Sequence, residues 1–452
     1  MKAALKKRGY LVCFSVLVSV MASCLGNNSY NETYSLTDAE LVSFSLSSDS
    51  VPGLANVVFS IDQRAGSIYN YDSMAYQTKI KDKVIVTYSS GAGTDNVLNI
   101  TDGDSIWVKS KDSIDISKPV TIKTYALDGV TTKLYTVQLN IHQVDPDSMQ
   151  YKQIASALPF LQTENTKTIA FNGRFLTYSK TGNEIRLYSS SNLANWTQES
   201  ASGLPSNAVI RGIQSSGNRL FACTDAGDLY VRYDLTADQW VSVNKPPSIK
   251  VKSILGYLNA GPKQSEGLSL IVETGGVNTF AFTKDFIQWE YDSITPTPVP
   301  DNFPLSNFSS CSYQLMFTER ISIFGGISSN GVVQNTVWST ETGRYWAKLT
   351  GNRNLFPPLE GANVFYYNNE FWLINGKSGN NYNKEIYYSI DGGVTWQTKP
   401  GKCRLPENYP GRYNASVVTD NNGKYFYIIG GKQATVLSDV WKGFLNKMEF
   451  EH

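Results

Sequence analysis

The chain has 452 residues, 41% of them hydrophobic and 17% charged, with a formal charge of +1 at pH 7. That length exceeds what one hydrophobic core serves, so at least two domains are expected. A near-neutral balance without a basic patch argues against a nucleic-acid partner. Two histidines in all, His142 and His452, leave little room for a Ser-His-Asp triad, a Cys-His pair or a His-based metal site.

In chain order, residues 1–23 read as an export leader. Lys2, Lys6, Lys7 and Arg8 form a positive n-region, and Leu11 to Val20 form an apolar run that falls short of the roughly 20 residues of a comfortable membrane span. The run ends in Met21-Ala22-Ser23-Cys24, which resembles a bacterial lipobox. The resemblance implies cleavage before Cys24, lipidation of that residue and attachment to a membrane. Residues 24–35 are polar and featureless, as a tether is. Leu25 stands where an Asp would signal retention in the inner membrane, so delivery to the outer membrane is expected, with surface and periplasmic faces both open. Loss of the leader's four basic residues makes the remainder slightly acidic. Cys223 lies in an apolar run and reads as a core residue, while Cys311 and Cys403 are candidates for a disulfide in an exported protein.

Beyond the leader, helix signals are almost absent. Short Tyr/Val/Ile/Phe-rich runs alternate with Gly, Asn and Asp, the pattern of an all-β protein. Residues 36–145 read as a β-sandwich. Val120 to Tyr125 and Thr131 to Ile141 alternate on either side of Asp128-Gly129, a hairpin signal, and Val84 to Tyr88 and Ser105 to Lys109 read as further strands. The region resembles the Ig-like modules near the N-terminus of Bacteroidota surface lipoproteins, which implies a spacer between membrane and working domain.

After Val144-Asp145-Pro146-Asp147, residues 146–452 repeat. Trp196, Trp240, Trp289, Trp346 and Trp396 recur roughly every 50 residues, the length of one four-stranded propeller blade. Ser389, Asp391, Gly393 and Trp396 compose Ser-x-Asp-x-Gly-x-Thr-Trp, which resembles an Asp-box, a structural turn of many propellers. Degenerate copies precede Trp196, Trp289 and Trp346. Apolar strands ending in Gly325-Gly326, Gly376 and Gly430-Gly431 resemble Kelch repeats. Six blades are expected, beginning near residues 157, 206, 250, 305, 357 and 408. Tyr151 to Pro159 resembles Trp196 to Pro205, so Tyr151 to Ala155 is expected to supply the outer strand of the last blade and close the ring. Together the motifs resemble a Bacteroidota lipoprotein family of unknown function, with an Ig-like N-terminal module and a Kelch/Asp-box-type six-bladed β-propeller. The fold expected is thus all-β, a sandwich followed by that propeller.

Propeller ligands sit at the axial mouth, ringed by the loops between second and third strands and by the segments that start each blade. The second set places Lys167, Arg211, Glu360 and Arg412 at the mouth, where Arg can grip a carboxylate bidentately. Among the loops, Asn380, Asn381 and Tyr382 offer amides and a flat ring that suit sugars. The sialidase signature Phe/Tyr-Arg-Ile-Pro is missing, because Gly173-Arg174-Phe175 and Gly411-Arg412-Tyr413 lack the Ile-Pro. The expectation is a lipoprotein whose propeller binds a glycan or an envelope protein, without cofactor, metal or catalysis. Two alternatives stay open: a hydrolase or lyase using channel carboxylates and Tyr, and a structural subunit of an envelope complex.

Overall fold

A computed structural model describes residues 36–91, 96–101, 104–160, 166–181, 184–233, 239–349 and 355–447. The leader, Cys24, the tether and His452 lie outside the described residues. The chain divides into two compact units, one up to Asp145 and one from Pro146.

In the first unit, Leu41–Ser47, Val84–Ser90 and Ser113–Ile114 form one sheet. A second, six-stranded sheet runs in the order Phe59–Asp62, Ser67–Asn70, Thr132–Gln138, Val120–Tyr125, Asn96–Thr101, Asp104–Lys109. Strict alternation of buried and outward residues along Val84–Ser90 and Val120–Tyr125 gives each sheet one apolar face. Leu41, Leu46, Val84 and Val86 of the first sheet share a core with Ile68, Val120, Ile122 and Tyr135 of the second. The predicted hairpin forms, and Asp128 caps its turn by accepting the Val130 and Thr131 amides at 2.9 and 2.8 Å. His142 lies beyond the last strand of this unit.

The second unit is a β-propeller. Its described residues form six radial sheets, whose innermost strands are Thr168–Phe171, Ile210–Ser216, Lys250–Leu258, Ser309–Leu315, Glu360–Tyr367 and Ser416–Thr419. Each innermost strand neighbours the next, and the last neighbours the first. The blades they open are numbered 1 to 6 in that order. Blade 6 is completed by the first strand of the unit: Met149–Ala155 pairs antiparallel with Val440–Leu445, from Met149 opposite Leu445 to Ala155 opposite Val440. The predicted closure is therefore present, and Met149–Ala155 covers Val440–Leu445 as the outermost strand of blade 6.

The tryptophan turns show why the repeat survives sequence drift. In blade 5, the Asp391 carboxylate accepts the Thr395 amide at 2.9 Å and its hydroxyl at 2.6 Å, and Ser389 Oγ accepts the Gly393 amide at 2.9 Å. Trp396 Nε1 donates to the Gly393 carbonyl, and the ring is buried among Phe324, Phe356 and Phe371. The three degenerate copies are one residue shorter and keep the hydroxyl bond, whereas the indole bond to the turn carbonyl recurs at Trp196 and is missing at Trp289 and Trp346. Leu193, Phe286 and Gly343 give their amides to Ser190, Thr283 and Thr340 hydroxyls at 2.8 to 2.9 Å, and all three take left-handed backbone at φ 62°, 63° and 75°. Hydroxyl and side-chain acceptor are thus the shared requirement, and glycine is the cheapest residue for the left-handed position.

Asp391→Asn is expected to cost about 1–3 kcal/mol of unfolding free energy, since it weakens charge-assisted bonds. Burial pushes the Asp391 carboxyl up, but bonds from Thr395 and Ser389 outweigh this and hold it below its ordinary 3.8. A depressed folded value means the contribution is complete above 3.8 and lost as pH falls through the folded value. Denaturant melts of wild type and variant should therefore converge in acid. A gap that stays constant down to full protonation would contradict this account.

All three described cysteines are free. Cys403 packs with blade 6 and its thiol meets the Asp147 carbonyl at 3.4 Å, whereas Cys311 belongs to the core of blades 4 and 5. The two sit in different cores and do not pair.

Candidate functional site

The segments that start blades 4, 5, 6 and 1 are stitched in series at one end of the axial channel. The Gly361 amide donates to Asn307 O at 2.7 Å, the Asn414 amide to Gly361 O at 2.8 Å, and the Lys167 ammonium to Asn414 O and Ala415 O at 3.3 and 3.5 Å. The approach is close enough that a Cβ on Gly361, at φ 61°, would stand 2.5 Å from Asn414 Oδ1.

A polar and aromatic cluster grows from this belt at blades 5 and 6. Glu360, half-buried, meets Lys377 at 3.1 Å and accepts from Asn307 Nδ2 at 3.1 Å. The Lys377 ammonium lies 4.3 Å from the centre of the Tyr413 ring, a cation–π contact. Tyr382 faces Tyr413 with ring centres 6.3 Å apart. Burial alone would lower the Lys377 pKa, but Glu360 beside it turns the shift upward and favours the ammonium. Asn380 and Asn381 are exposed at the tip of the neighbouring turn, and Asn381–Tyr382 pairs back on Glu370–Ser378. Asn383 anchors that turn by donating to Asn375 O and Glu385 O.

Glu360 and Tyr382 therefore come together, and Lys167 joins the same belt through Asn414. Lys377 and Tyr413 complete the cluster although sequence reasoning did not single them out. Their signal was weak, since a lysine after a Gly turn and a tyrosine before a strand are both ordinary residues. Arg211 is exposed on blade 2, close enough to Asp225 to act on its carboxyl, which the Val209 amide chiefly holds below its ordinary value.

Arg412 departs from expectation. It is fully buried and gives its guanidinium bidentately to Asp439, at 2.7 and 2.9 Å, and to the carbonyls of Gly430 and Pro410. Its plane lies over Tyr409, and Trp441 Nε1 also donates to Asp439 at 2.7 Å. Every direction in which Arg412 can donate is occupied by protein, so it holds blade 6 together and does not reach the mouth.

A second feature lies next to the cluster. A cavity of about 420 Å³ opens between the Lys384–Ile386 segment of blade 5 and residues 403–409, which lead into blade 6. Ile386, Leu405 and Tyr409 give it apolar walls, and Lys384, Glu385, Arg404 and Glu407 give it charges of both signs. This cavity was not foreseen, because its wall comes from a connector with no repeat signal.

The carboxylates with a resolved shift, Asp115, Asp128, Asp225, Glu273, Asp285, Asp292 and Asp391, all move downward. Among the described residues, no group of three or more His, Cys, Asp or Glu side chains is placed to hold a metal.

No curated protein matches the chain. A solved structure described as "Structure of YjhT" is 14% identical, covers 63% of this chain and 95% of that one, and superposes with a TM-score of 0.45. The family model for the DUF6242 N-terminal domain matches residues 27–139, and that for the DUF6242 beta propeller domain matches residues 145–452. The chain belongs to the DUF6242 family.

Proposed function

We propose that this protein is an envelope lipoprotein, held at the outer membrane through Cys24, whose propeller recognises a glycan at the mouth beside blades 5 and 6. The observation that carries the reading is the joined set Glu360, Lys377, Tyr382 and Tyr413 next to the exposed amides of Asn380 and Asn381. Flat rings flanked by fixed polar groups match the alternating apolar faces and hydroxyl edges of sugars. Recognition is favoured over hydrolysis because the joined set holds one carboxylate, Glu360, tied to Lys377, whereas glycoside hydrolysis ordinarily takes a pair. A glycan array and a parallel hydrolysis assay test this. Binding without turnover is expected, weakened at least tenfold in Tyr382→Ala and Lys377→Met and unchanged in Arg404→Ala. Turnover of any bound glycan would replace the reading with the enzymatic one.

One observation favours a second reading, docking in an envelope complex. The two-residue hairpin turns after the innermost strands are Asn172-Gly173, Gly217-Asn218 and Asn368-Asn369 in blades 1, 2 and 5, as left-handed turns require. Blade 4 instead carries Met316-Phe317, at 86% and 83% exposure, with Met316 at φ 55°. Strain and exposed apolar area at one turn mark a contact surface. Crosslinking from position 317 in the native envelope, with and without Phe317→Ser, distinguishes a docked subunit from a free one.

A further inference from the structure

Among the described residues, several charges near the starts of the blades have a counter-charge: Glu360 has Lys377, and Lys252 has Glu273 at 2.9 Å. Lys167 differs. It is half-buried where the start of blade 1 meets that of blade 6, and it donates to the carbonyl oxygens of Asn414 and Ala415. The elements packed on it bring polar neutral groups: Thr168, whose amide donates to Ser416 Oγ, and Thr177, whose hydroxyl donates to Lys167 O. Burial displaces its pKa, down to about 8, and among the described residues no charged neighbour contributes. The nearest blade adds Arg211, with Asp225 close to it.

A desolvated ammonium without a counter-charge is unfavourable, and a methionine would fill the same space without that penalty. The ammonium also has three donors, of which two carbonyls take two. The geometry points to an anion subsite at Lys167, in which a carboxylate, sulfate or phosphate oxygen of the ligand accepts the third N–H and supplies the missing charge. Resting on the reading of the mouth as a glycan site, this makes the ligand an acidic glycan.

The linkage has a definite sign. An anion that binds the charged form raises the Lys167 pKa from about 8 towards the ordinary 10.5. Binding is therefore full below 8 and falls up to about tenfold per pH unit above it. The full chain is titrated by competitive acetylation with mass spectrometry, giving the apparent pKa of Lys167 alone and with millimolar glucuronate, sulfate, phosphate or neutral glucose. At least one anion is expected to raise that pKa by about one unit or more and slow acetylation, while glucose does neither. The anion that acts identifies the source. Calorimetry with the same anion should show loss of binding in Lys167→Met, whereas Lys167→Arg retains binding and loses the fall above pH 8. A Lys167 indifferent to all three anions, or a Lys167→Met variant that binds them like wild type, overturns the inference. The glycan reading fails separately: glycan-array binding that ignores Lys167→Met keeps the mouth and discards the anion subsite, and a silent array with an anion-sensitive Lys167 does the reverse.

Discussion

Asp439→Asn should lower the stability of the propeller by about 3–5 kcal/mol, the loss expected when one partner of a buried ion pair is removed and the other charge stays behind. The substitution keeps the shape of the side chain and takes only its charge. Arg412 has no exposed surface, and its remaining acceptors are two backbone carbonyls, which do not neutralise it. Trp441 Nε1 would also lose the charge on its acceptor. The effect should appear in urea as a lower midpoint with an unchanged slope, because the surface exposed on unfolding is the same. Arg412→Met/Asp439→Leu should recover most of the loss, since replacing both charges by apolar groups removes the desolvation penalty together with the attraction. An Asp439→Asn protein within about 1 kcal/mol of wild type would show that the pair behaves like a surface bridge.

The second large effect concerns the closing strand. A chain starting at Pro146 retains Met149–Ala155 and should melt in one cooperative transition. A chain starting at Leu158 lacks that strand and should not. It would lose the pairing with Val440–Leu445, the Asp147 amide bond to Asn446 O at 2.8 Å, and Met149 and Tyr151 from the core around Trp372, Phe426 and Trp441. It would also expose Val440–Leu445 as a free edge in blade 6, a template for aggregation. Sedimentation and thermal melting of the two fragments check this. A soluble, cooperatively melting fragment from Leu158 would mean that the ring tolerates a three-stranded last blade.

Much of the architecture was legible because propeller blades repeat their requirements. The tryptophan spacing gave the blade length, and the likeness between Tyr151 to Pro159 and Trp196 to Pro205 located the outer strand of blade 6. The left-handed positions were legible only in part: Asn375 fills one at φ 62° by bonding its buried amide to Asn363 and Tyr409, and Leu193 and Phe286 fill others with no sequence warning. The site was harder. Arg412 and Lys167 both stand near the start of an innermost strand, yet one meets an aspartate 27 residues further on and the other meets none. Which cation keeps its charge free depends on a neighbour's position in space, and nothing in the local sequence encodes that. The cavity beside Tyr409 was missed because the connector that walls it, residues 403–409, carries no repeat signal.

Ring closure also fixes an order of events. Met149–Ala155 emerges early in synthesis, whereas Val440–Leu445 appears roughly 300 residues later, so a loop nearly as long as the domain must be closed to form that one pair of strands. Contacts at such sequence separation form late and slow folding. Until the final strand arrives, the first five blades can assemble with their neighbours, but the ring stays open and the early strand stays unpaired. The last step of folding is thus the joining of the two ends of the domain, and the loss of either Met149–Ala155 or Val440–Leu445 is felt directly in blade 6.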